Sequence, residues 1–312
     1  MTRKVIEIKS QTPIMVVTWV LNNICTNKCS YCPSVLHEGT NHNYNWEQAR
    51  QFIDILINKY PYIKLAISGG EPTVSPWFPE LVKMFSNKGH SVGVTTNGAR
   101  TVRYYEDIAP HLSYIVMSWH PSFEDSDFLE KALACAKHTW VTVSVMLDSR
   151  YFDRSLEMYY ELQKHKSLGV EAVRVTSWTP GITVGSEYTD NQIDIINKLE
   201  YVSATEITTP TNVTPDGPWF MFNDGFKSRM DAQELINTNQ TNFFGWECDI
   251  GLESLYLHYD GELRMGNCRS APIIGSLQDI ENIKWPTQSF ICPQTHCRCT
   301  TDVNISKRII AN

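Results

Sequence analysis

The sequence predicts an α/β fold: a partial (β/α)6 TIM-like barrel followed by a small C-terminal domain that contains a β-hairpin. Strand-like and helix-like segments alternate over the first two-thirds of the 312-residue chain, as in βαβ units with a parallel sheet. Six such repeats are too few for a closed eight-stranded barrel. The alternation stops near residue 204, and the remaining chain is long enough for one small additional domain.

The predicted strands are short apolar or β-branched runs that end at glycine or polar residues. They occupy residues 15–21, 63–68, 91–96, 114–118, 140–147 and 172–177. The first helix, 45–59, begins at Asn45, and Gln48 follows three residues later as in a capping box. A second helix starts at Ser75-Pro76, and further helices cover 102–110, 125–138 and 153–168.

Polar or glycine-rich loops follow the predicted strands, and in parallel α/β folds such loops build the active site. They contain three cysteines after the first strand, then Gly69-Gly70-Glu71, Thr96-Asn97-Gly98 and Ser118-Trp119-His120. We therefore expect these side chains to meet at one rim of the sheet. His120 is a candidate catalytic residue, although a hydrogen-bonded structural histidine is the more common role.

The last third of the chain divides by composition. Residues 205–246 are rich in Thr, Asn, Pro and Gly, which predicts an irregular linker or lid. In 247–312, two strand-like runs flank Asp260-Gly261, a typical hairpin turn. The predicted domains are therefore 1–204, 205–246 and 247–312.

The net charge of −7 argues against a general nucleic-acid-binding protein, since a phosphate backbone attracts basic surfaces. Glu7 stands where the apolar core of a signal peptide would begin, and the apolar run at 14–21 is too short to cross a bilayer. We therefore expect a cytoplasmic protein with no membrane partner. In that reducing compartment, clustered cysteines are more often metal ligands than disulfides.

The nine cysteines form two clusters and leave one isolated residue. Cys25, Cys29 and Cys32 form a C-x3-C-x2-C loop directly after the first predicted strand. Three thiolates can hold one face of a [4Fe–4S] cluster and leave one iron without a protein ligand. The alternative is a zinc site with His37 or His42 as fourth ligand, although structural zinc sites more often use C-x2-C pairs.

This loop and a second motif resemble the radical SAM superfamily. Cys25-Thr-Asn-Lys-Cys29-Ser-Tyr-Cys32 matches the C-x3-C-x-aromatic-C signature, and Ser68-Gly69-Gly70-Glu71-Pro72 matches the GGE element. The resemblance covers about residues 14–180. It implies that the open iron binds the amino and carboxylate groups of S-adenosylmethionine (SAM). Reductive cleavage of SAM would then give a 5′-deoxyadenosyl radical that abstracts hydrogen from a substrate.

The same resemblance implies which residues bind the cofactor. The GGE residues would receive the methionine amino group, the aromatic residue of the signature would lie near the adenine, and Ser118 would contact the ribose or carboxylate. An electron donor such as flavodoxin or ferredoxin would reduce the cluster. The candidates are Tyr31, Gly69, Gly70, Glu71, Asn97, Ser118 and Arg174, of which Asn97 and Arg174 are the weaker ones.

The second cysteine cluster resembles the auxiliary-cluster domains called SPASM or twitch. Its candidate ligands are Cys248, Cys268, Cys292, Cys297 and Cys299. Five thiols are too few for two four-ligand clusters, so the resemblance implies one auxiliary [4Fe–4S] cluster that assists the reaction. Cys292 is the expected spare thiol, because Cys248 and Cys268 flank the hairpin and the last two stand close together. The alternative is a zinc knuckle with His296 as an extra ligand.

Cys135 lies alone in an apolar helical pattern and is expected to be a buried core thiol, with hydrogen donation to a substrate radical as the alternative. The resemblance leaves the substrate open between a peptide and a small molecule such as a sugar or nucleoside. Only 24 residues precede Cys25, so we expect no separate N-terminal peptide-binding domain. The rival hypothesis is a non-catalytic zinc or iron–sulfur scaffold protein.

Overall fold

The computed structural model describes residues 3–10, 14–39, 44–123, 125–175, 187–206, 217–229, 232–268 and 270–310. These residues form two compact units. The first unit takes its residues from 1–19, 42–65 and 214–312, and the second from 20–41 and 66–213. The domain limits at 204/205 and 246/247 rest on composition and remain a prediction.

The described residues contain eight α-helices and fifteen β-strands. The helices are α1 Trp46–Lys59, α2 Phe78–Ser86, α3 Val102–Ile108, α4 Phe128–Ala136, α5 Phe152–Leu162, α6 Asp190–Ile196, α7 Ala232–Asn237 and α8 Thr300–Val303. The strands are β1 Val5–Lys9, β2 Met15–Val20, β3 Ile63–Ser68, β4 Ser91–Thr96, β5 Tyr114–Trp119, β6 Trp140–Leu147, β7 Leu168–Arg174, β8 Trp219–Phe222, β9 Lys227–Ser228, β10 Glu247–Cys248, β11 Ser254–Leu257, β12 Glu262–Arg264, β13 Ile273–Ser276, β14 Phe290–Ile291 and β15 Lys307–Arg308.

The second unit is built on parallel strands. Strands β4, β5, β6 and β7 pair in parallel in that order, and the C-terminal half of β3 lies beside β4. Helices α2 to α5 alternate with these strands along the chain, which confirms the predicted α/β class with a parallel sheet. Within the described residues, this run of strands stays open and does not close into a barrel.

Two boundaries in the second unit differ from the prediction. Strand β7 begins at Leu168 instead of 172, and α5 ends at Leu162 instead of 168. Gly169 and Glu171 interrupt the apolar pattern of β7 and so hide its start in the sequence. The predicted end of that strand, 176–177, lies outside the described residues.

Helix α2 begins at Phe78 and not at the predicted Ser75-Pro76. The Ser75 N–H donates to the Pro72 carbonyl at 3.1 Å, which closes a short 3-10 turn before the helix. A proline still occupies the first turn of the helix, as expected, but it is Pro79.

The first unit contains a six-stranded antiparallel sheet in the order β14-β10-β15-β1-β8-β9. A second group of strands lies in the order β13-β12-β11-β2, followed by the N-terminal half of β3. Strands β11 and β12 form the hairpin predicted at Asp260-Gly261, and β11 pairs in parallel with β2. Helix α1 begins with the predicted capping box of Asn45 and Gln48.

Regular structure is present in the segment 205–246, which the composition predicts to be an irregular linker or lid. Its described residues include β8, β9 and α7. Strand β8 pairs with β1, and its Phe220 and Phe222 are buried. The four apolar residues of β8 are too short a run to stand out among the polar residues that surround them.

Candidate functional site

The first cysteine loop lies in the second unit, directly after β2. The Cys32 N–H donates to the Cys29 carbonyl at 3.0 Å, so the last two cysteines share one tight turn. Burial raises the pKa of Cys29 to about 11; the Tyr31 hydrogen bond opposes this rise, and the nearby Cys25 and Cys32 thiols add to it. Because the three thiols influence one another electrostatically, they share one small site.

Side chains from the ends of three successive strands hold this loop in place. After β4, Asn97 Nδ2 donates to Thr26 Oγ1 at 3.1 Å and lies 3.5 Å from Cys25 Sγ. After β5, His120 Nδ1 lies 2.6 Å from the Tyr31 hydroxyl. The predicted convergence of these strand-end loops on the cysteine loop is therefore observed for Asn97 and His120.

After β6, Arg150 supplies the third anchor, because its Nη2 donates to Ser30 Oγ at 2.6 Å. The guanidinium also binds Asp148, whose side chain is fully buried, with Nε 2.9 Å from Oδ1. Burial raises the pKa of Asp148, but the hydrogen bonds and charge of Arg150 outweigh this and hold it below its ordinary value. Sequence spacing does not predict this contact, since Arg150 and Ser30 are 120 positions apart.

The two glycines of the GGE element bring the backbone very close to the cysteine loop. A Cβ on Gly69 would lie 2.5 Å from the Asn22 carbonyl oxygen, and one on Gly70 would lie 2.4 Å from that of Ile24. The Gly70 and Glu71 N–H groups donate to those two carbonyls at 2.8 and 2.7 Å. Only glycine permits this approach, which positions the segment that leads to Cys25.

The Glu71 carboxylate is buried and is occupied entirely by protein donors. Its Oε1 accepts the Thr73 N–H at 3.0 Å and the Thr73 and Thr96 hydroxyls at 2.6 and 2.7 Å. Its Oε2 accepts the Asn97 N–H at 2.7 Å. Glu71 therefore joins the GGE turn to the end of β4. The Glu71 carboxylate can therefore influence a bound ligand only by positioning Thr73, Thr96 or Asn97.

His120 is a neutral imidazole in this structure, because burial lowers its pKa to about 4. Its ring stacks on the Tyr31 ring, with centroids 6.0 Å apart. Burial also raises the pKa of Tyr31. Tyr31 packs with Cys29, Val175 and Phe123 in a small apolar cluster beside the loop.

The remaining candidates lie elsewhere in the second unit. Ser118 stands opposite Ser144 in register, and Ser144 donates to Glu171 on β7. Arg174 lies three positions after Glu171 on β7, where it pairs in register with Leu147. Because side chains alternate along a strand, Arg174 faces the other side of the sheet from Glu171. Its guanidinium lies 5.3 Å from the Tyr188 ring centre, and no described contact joins it to the cysteine loop.

Cys135 is fully buried on α4, as expected for a core thiol. Burial raises its pKa to about 12, so the thiol is neutral.

The second cysteine cluster lies in the first unit, and four of its thiols influence one another. Burial raises the pKa of Cys248 and of Cys268, and in both cases the nearby Cys292 adds to that rise. Burial raises the pKa of Cys297 to about 12, and Cys268 adds to it. The sulfur of Cys299 lies 3.1 Å from Asn267 Nδ2. The expected spare, Cys292, is thus a neighbour of two other thiols.

Two buried charged residues accompany these thiols. Lys307 Nζ donates to the carbonyls of Asp302, Val303 and Ile305 at 2.6, 3.0 and 2.6 Å. Asp302 Oδ2 is buried, and no residue in the described part of the chain forms a hydrogen bond with it. The Lys307 charge lowers the pKa of Cys248 and Cys297 against the effect of burial. Sequence reasoning missed both residues, since neither belongs to a motif.

The zinc alternatives predicted for the two cysteine clusters remain alternatives. Within the described residues, no three Cys, His, Asp or Glu side chains come together closely enough to ligate one ion. His42, one proposed fourth zinc ligand, lies outside the described residues.

Residues 19–143 match the family model of the Radical SAM superfamily. This segment is therefore similar to a radical SAM domain. The match includes the cysteine loop, the GGE element and the strand ends that carry Asn97 and His120. A radical SAM domain implies reductive cleavage of SAM at a [4Fe–4S] cluster, and hence an enzyme. No curated protein matches the sequence.

Solved structures with a similar fold include two forms of the same protein. Native anSMEcpe with bound AdoMet is 13% identical, with a TM-score of 0.53 over 88% of this chain and 82% of that chain. Native anSMEcpe with bound AdoMet and Kp18Cys peptide is also 13% identical, with a TM-score of 0.52 over 86% of this chain and 78% of that one. At this identity the likeness concerns the fold alone.

The residues of the first site fit SAM and a cluster. Three thiols supply the donor set that iron–sulfur clusters use. Asn97 Oδ1 is buried beside Cys25 and has no hydrogen-bond partner among the described residues, so it is an acceptor available to a ligand. Gly69 and Gly70 line the same loop without side chains.

Among the described residues, no helix has the length and apolar character that crossing a membrane requires.

Proposed function

We propose that this chain is a radical SAM enzyme in which Cys25, Cys29 and Cys32 hold a [4Fe–4S] cluster and the GGE loop binds SAM. The observation that carries the proposal is the three-point anchoring of the cysteine loop by Asn97, His120 and Arg150 within the matched and adjoining sequence. A loop held from three strand ends presents its thiols in a fixed arrangement, as a cluster site requires. A merely structural turn would not need this support.

The chain's own residues would bind and orient the cofactor. When bound, cluster and SAM supply a one-electron cleavage to methionine and a 5′-deoxyadenosyl radical, which removes hydrogen from the substrate. Asn97 Oδ1 is the buried acceptor suited to the methionine ammonium, and Glu71 fixes the Asn97 backbone. Tyr31 would lie against the adenine, and Ser118 would contact the ribose or carboxylate. An electron donor such as flavodoxin or ferredoxin would reduce the cluster.

We also propose one auxiliary [4Fe–4S] cluster in the first unit, within a SPASM- or twitch-like domain. The mutual influence of Cys248, Cys268, Cys292 and Cys297 favours these four as ligands and Cys299 as the spare thiol. Lys307 supports this assignment, because a buried ammonium needs an anionic neighbour and thiolate ligands supply one. Spacing alone predicts Cys292 as the spare thiol, and the proposal assigns that place to Cys299.

The substrate is proposed only as a class. We infer a peptide or a small molecule such as a sugar or nucleoside, from which the radical removes one hydrogen atom. Arg174 and Cys135 receive no role in this proposal, since Arg174 faces Tyr188 and Cys135 is a core thiol. The rival hypothesis, a non-catalytic metal scaffold, predicts metal binding without any response to SAM.

Iron content separates these alternatives. After anaerobic reconstitution with iron and sulfide, the chain should hold about eight irons, since each [4Fe–4S] cluster has four. Cys29→Ala should lose about four, and Cys297→Ala should lose the other set of about four. Cys135→Ala is the matched control, because it removes a buried thiol outside both clusters. Equal iron in all four proteins, or zinc in place of iron, would contradict the proposal.

A further inference from the structure

A hydrogen-bonded chain ends on one thiol of the first cysteine loop. The Tyr31 hydroxyl lies 2.6 Å from His120 Nδ1, and hydrogen bonding from Tyr31 opposes the rise that burial causes in the pKa of the Cys29 thiol. His120 Nδ1 itself lies 3.5 Å from Cys29 Sγ. The hydroxyl oxygen, the ring nitrogen and the sulfur therefore form a closed triangle of polar atoms, in which each atom has two neighbours.

The chemistry of a metal-bound thiolate fixes the direction of these hydrogen bonds. Such a sulfur only accepts, and the Tyr31 hydroxyl has a single proton to donate. If His120 Nδ1 were the acceptor, it would take that proton and leave the sulfur without a donor from Tyr31. If Nδ1 carries the ring proton, it donates to the Tyr31 oxygen and leaves the hydroxyl proton for Cys29 Sγ. Only the second arrangement satisfies all three atoms.

We propose that His120 is a positioning residue that holds the Tyr31 hydroxyl as a donor to Cys29 Sγ, and that this hydrogen bond raises the reduction potential of the cluster. The inference rests on the proposed function, since it requires the loop to hold a cluster. Reduction adds negative charge to the cluster and its sulfurs, so a donor on a ligand sulfur stabilises the reduced form more than the oxidised form.

The surroundings of the triangle strengthen the effect. Cys29 and Tyr31 are only 6% and 8% exposed, and Phe123, Met146 and Val175 pack beside them. In such a weakly polarisable environment, a hydrogen bond to a charged sulfur is worth more than in water. Tyr31 and His120 are 89 positions apart in the sequence. His120 therefore holds the Tyr31 hydroxyl in position from outside the cysteine loop.

The test is the midpoint potential of the SAM-responsive cluster, followed by electron paramagnetic resonance during a redox titration of the full chain. The signal that changes when SAM is added identifies this cluster. Tyr31→Phe removes the donor and keeps the ring, and His120→Leu removes the residue that orients it. His120→Asn places an amide nitrogen near the former Nδ1 and restores a donor to Tyr31. Tyr160→Phe is the matched control, since it makes the same chemical change at an exposed tyrosine on α5.

We expect a shift to lower potential in Tyr31→Phe and a smaller shift in the same direction in His120→Leu. His120→Asn and Tyr160→Phe should stay at the wild-type potential. An unchanged potential in Tyr31→Phe with full iron content overturns the inference. So does an equal shift in Tyr160→Phe, and so does loss of iron in both Tyr31→Phe and His120→Leu.

The failure of this inference is distinguishable from the failure of the proposed function. If the wild-type chain holds no cluster whose signal responds to SAM, the proposed function itself is wrong. If the wild-type signal responds and only the variants fail to shift, the hydrogen-bond chain has no influence on the potential and the enzyme assignment stands.

Discussion

Replacing Glu71 by glutamine tests whether this carboxylate is a structural tie within the SAM domain. The two carboxylate oxygens accept backbone N–H groups from different segments, Oε1 from Thr73 and Oε2 from Asn97. Glutamine has one oxygen, so one of these N–H groups must face an NH2 group whichever way the amide turns. This conclusion holds for either protonation state of Glu71, because both oxygens of a carboxylic acid can still accept.

The expected cost follows from that geometry. A buried N–H that loses its only acceptor costs about 1–3 kcal/mol. Glu71→Gln should therefore lower the free energy of unfolding by about 1–3 kcal/mol. The measurement is urea unfolding of the protein without cluster, followed by circular dichroism.

Glu80→Gln is the matched control, since it makes the same chemical change at an exposed position in the first turn of α2. It should change the free energy of unfolding by less than about 0.5 kcal/mol. If Glu71→Gln is as stable as Glu80→Gln, the four hydrogen bonds to Glu71 do not hold the GGE turn to β4, and the reasoning is refuted.

Three further changes have defined outcomes. Gly70→Ala places a Cβ 2.4 Å from a backbone oxygen, so SAM affinity measured by equilibrium binding should fall by at least about tenfold; unchanged affinity would count against the glycine argument. Arg150→Ala leaves Asp148 buried without its partner and should lower the free energy of unfolding by about 1–3 kcal/mol. The loss should fall at the lower end of that range, because solvent screens the exposed part of Arg150. Because the folded-state pKa of Asp148 is lowered, that difference should persist at neutral pH and disappear as the pH falls through the lowered value; a difference that grows in acid would contradict it. Lys307→Met removes the cation beside the second cysteine cluster, so the reconstituted chain should hold about four fewer irons. Full iron content in this variant would show that the thiols bind a cluster without the Lys307 charge.

Local signals in the sequence predict much of the fold. The capping box of Asn45 and Gln48 and the hairpin at Asp260-Gly261 both depend on residues only a few positions apart, and both are present. The alternation of strands and helices likewise predicts the parallel sheet. The start of β7 is missed because Gly169 and Glu171 break the apolar pattern that marks a strand.

The candidate site is predictable only where a motif marks it. The cysteine loop and the GGE element are local patterns, whereas the contacts that support them join distant positions. Arg150 meets Ser30 across 120 residues, and His120 meets Tyr31 across 89. No spacing rule contains such pairs, because they arise from the convergence of strand ends in the folded sheet.

The same limit applies to the second cysteine cluster. Spacing alone favours Cys292 as the spare thiol, yet its neighbours in the fold are Cys248 and Cys268. Lys307 and Asp302 carry no motif at all, and their burial beside the thiols becomes visible only once the chain is folded.

The formation of 5′-deoxyadenosine from SAM is the measurement that tests the central claim most directly. The reconstituted chain is incubated anaerobically with SAM and dithionite, and the product is quantified by mass spectrometry. The wild-type protein and Cys268→Ala should both release 5′-deoxyadenosine, even slowly and without substrate, while Cys29→Ala should release none. No product from the wild-type chain with its full iron content, or equal product from Cys29→Ala, would contradict the assignment.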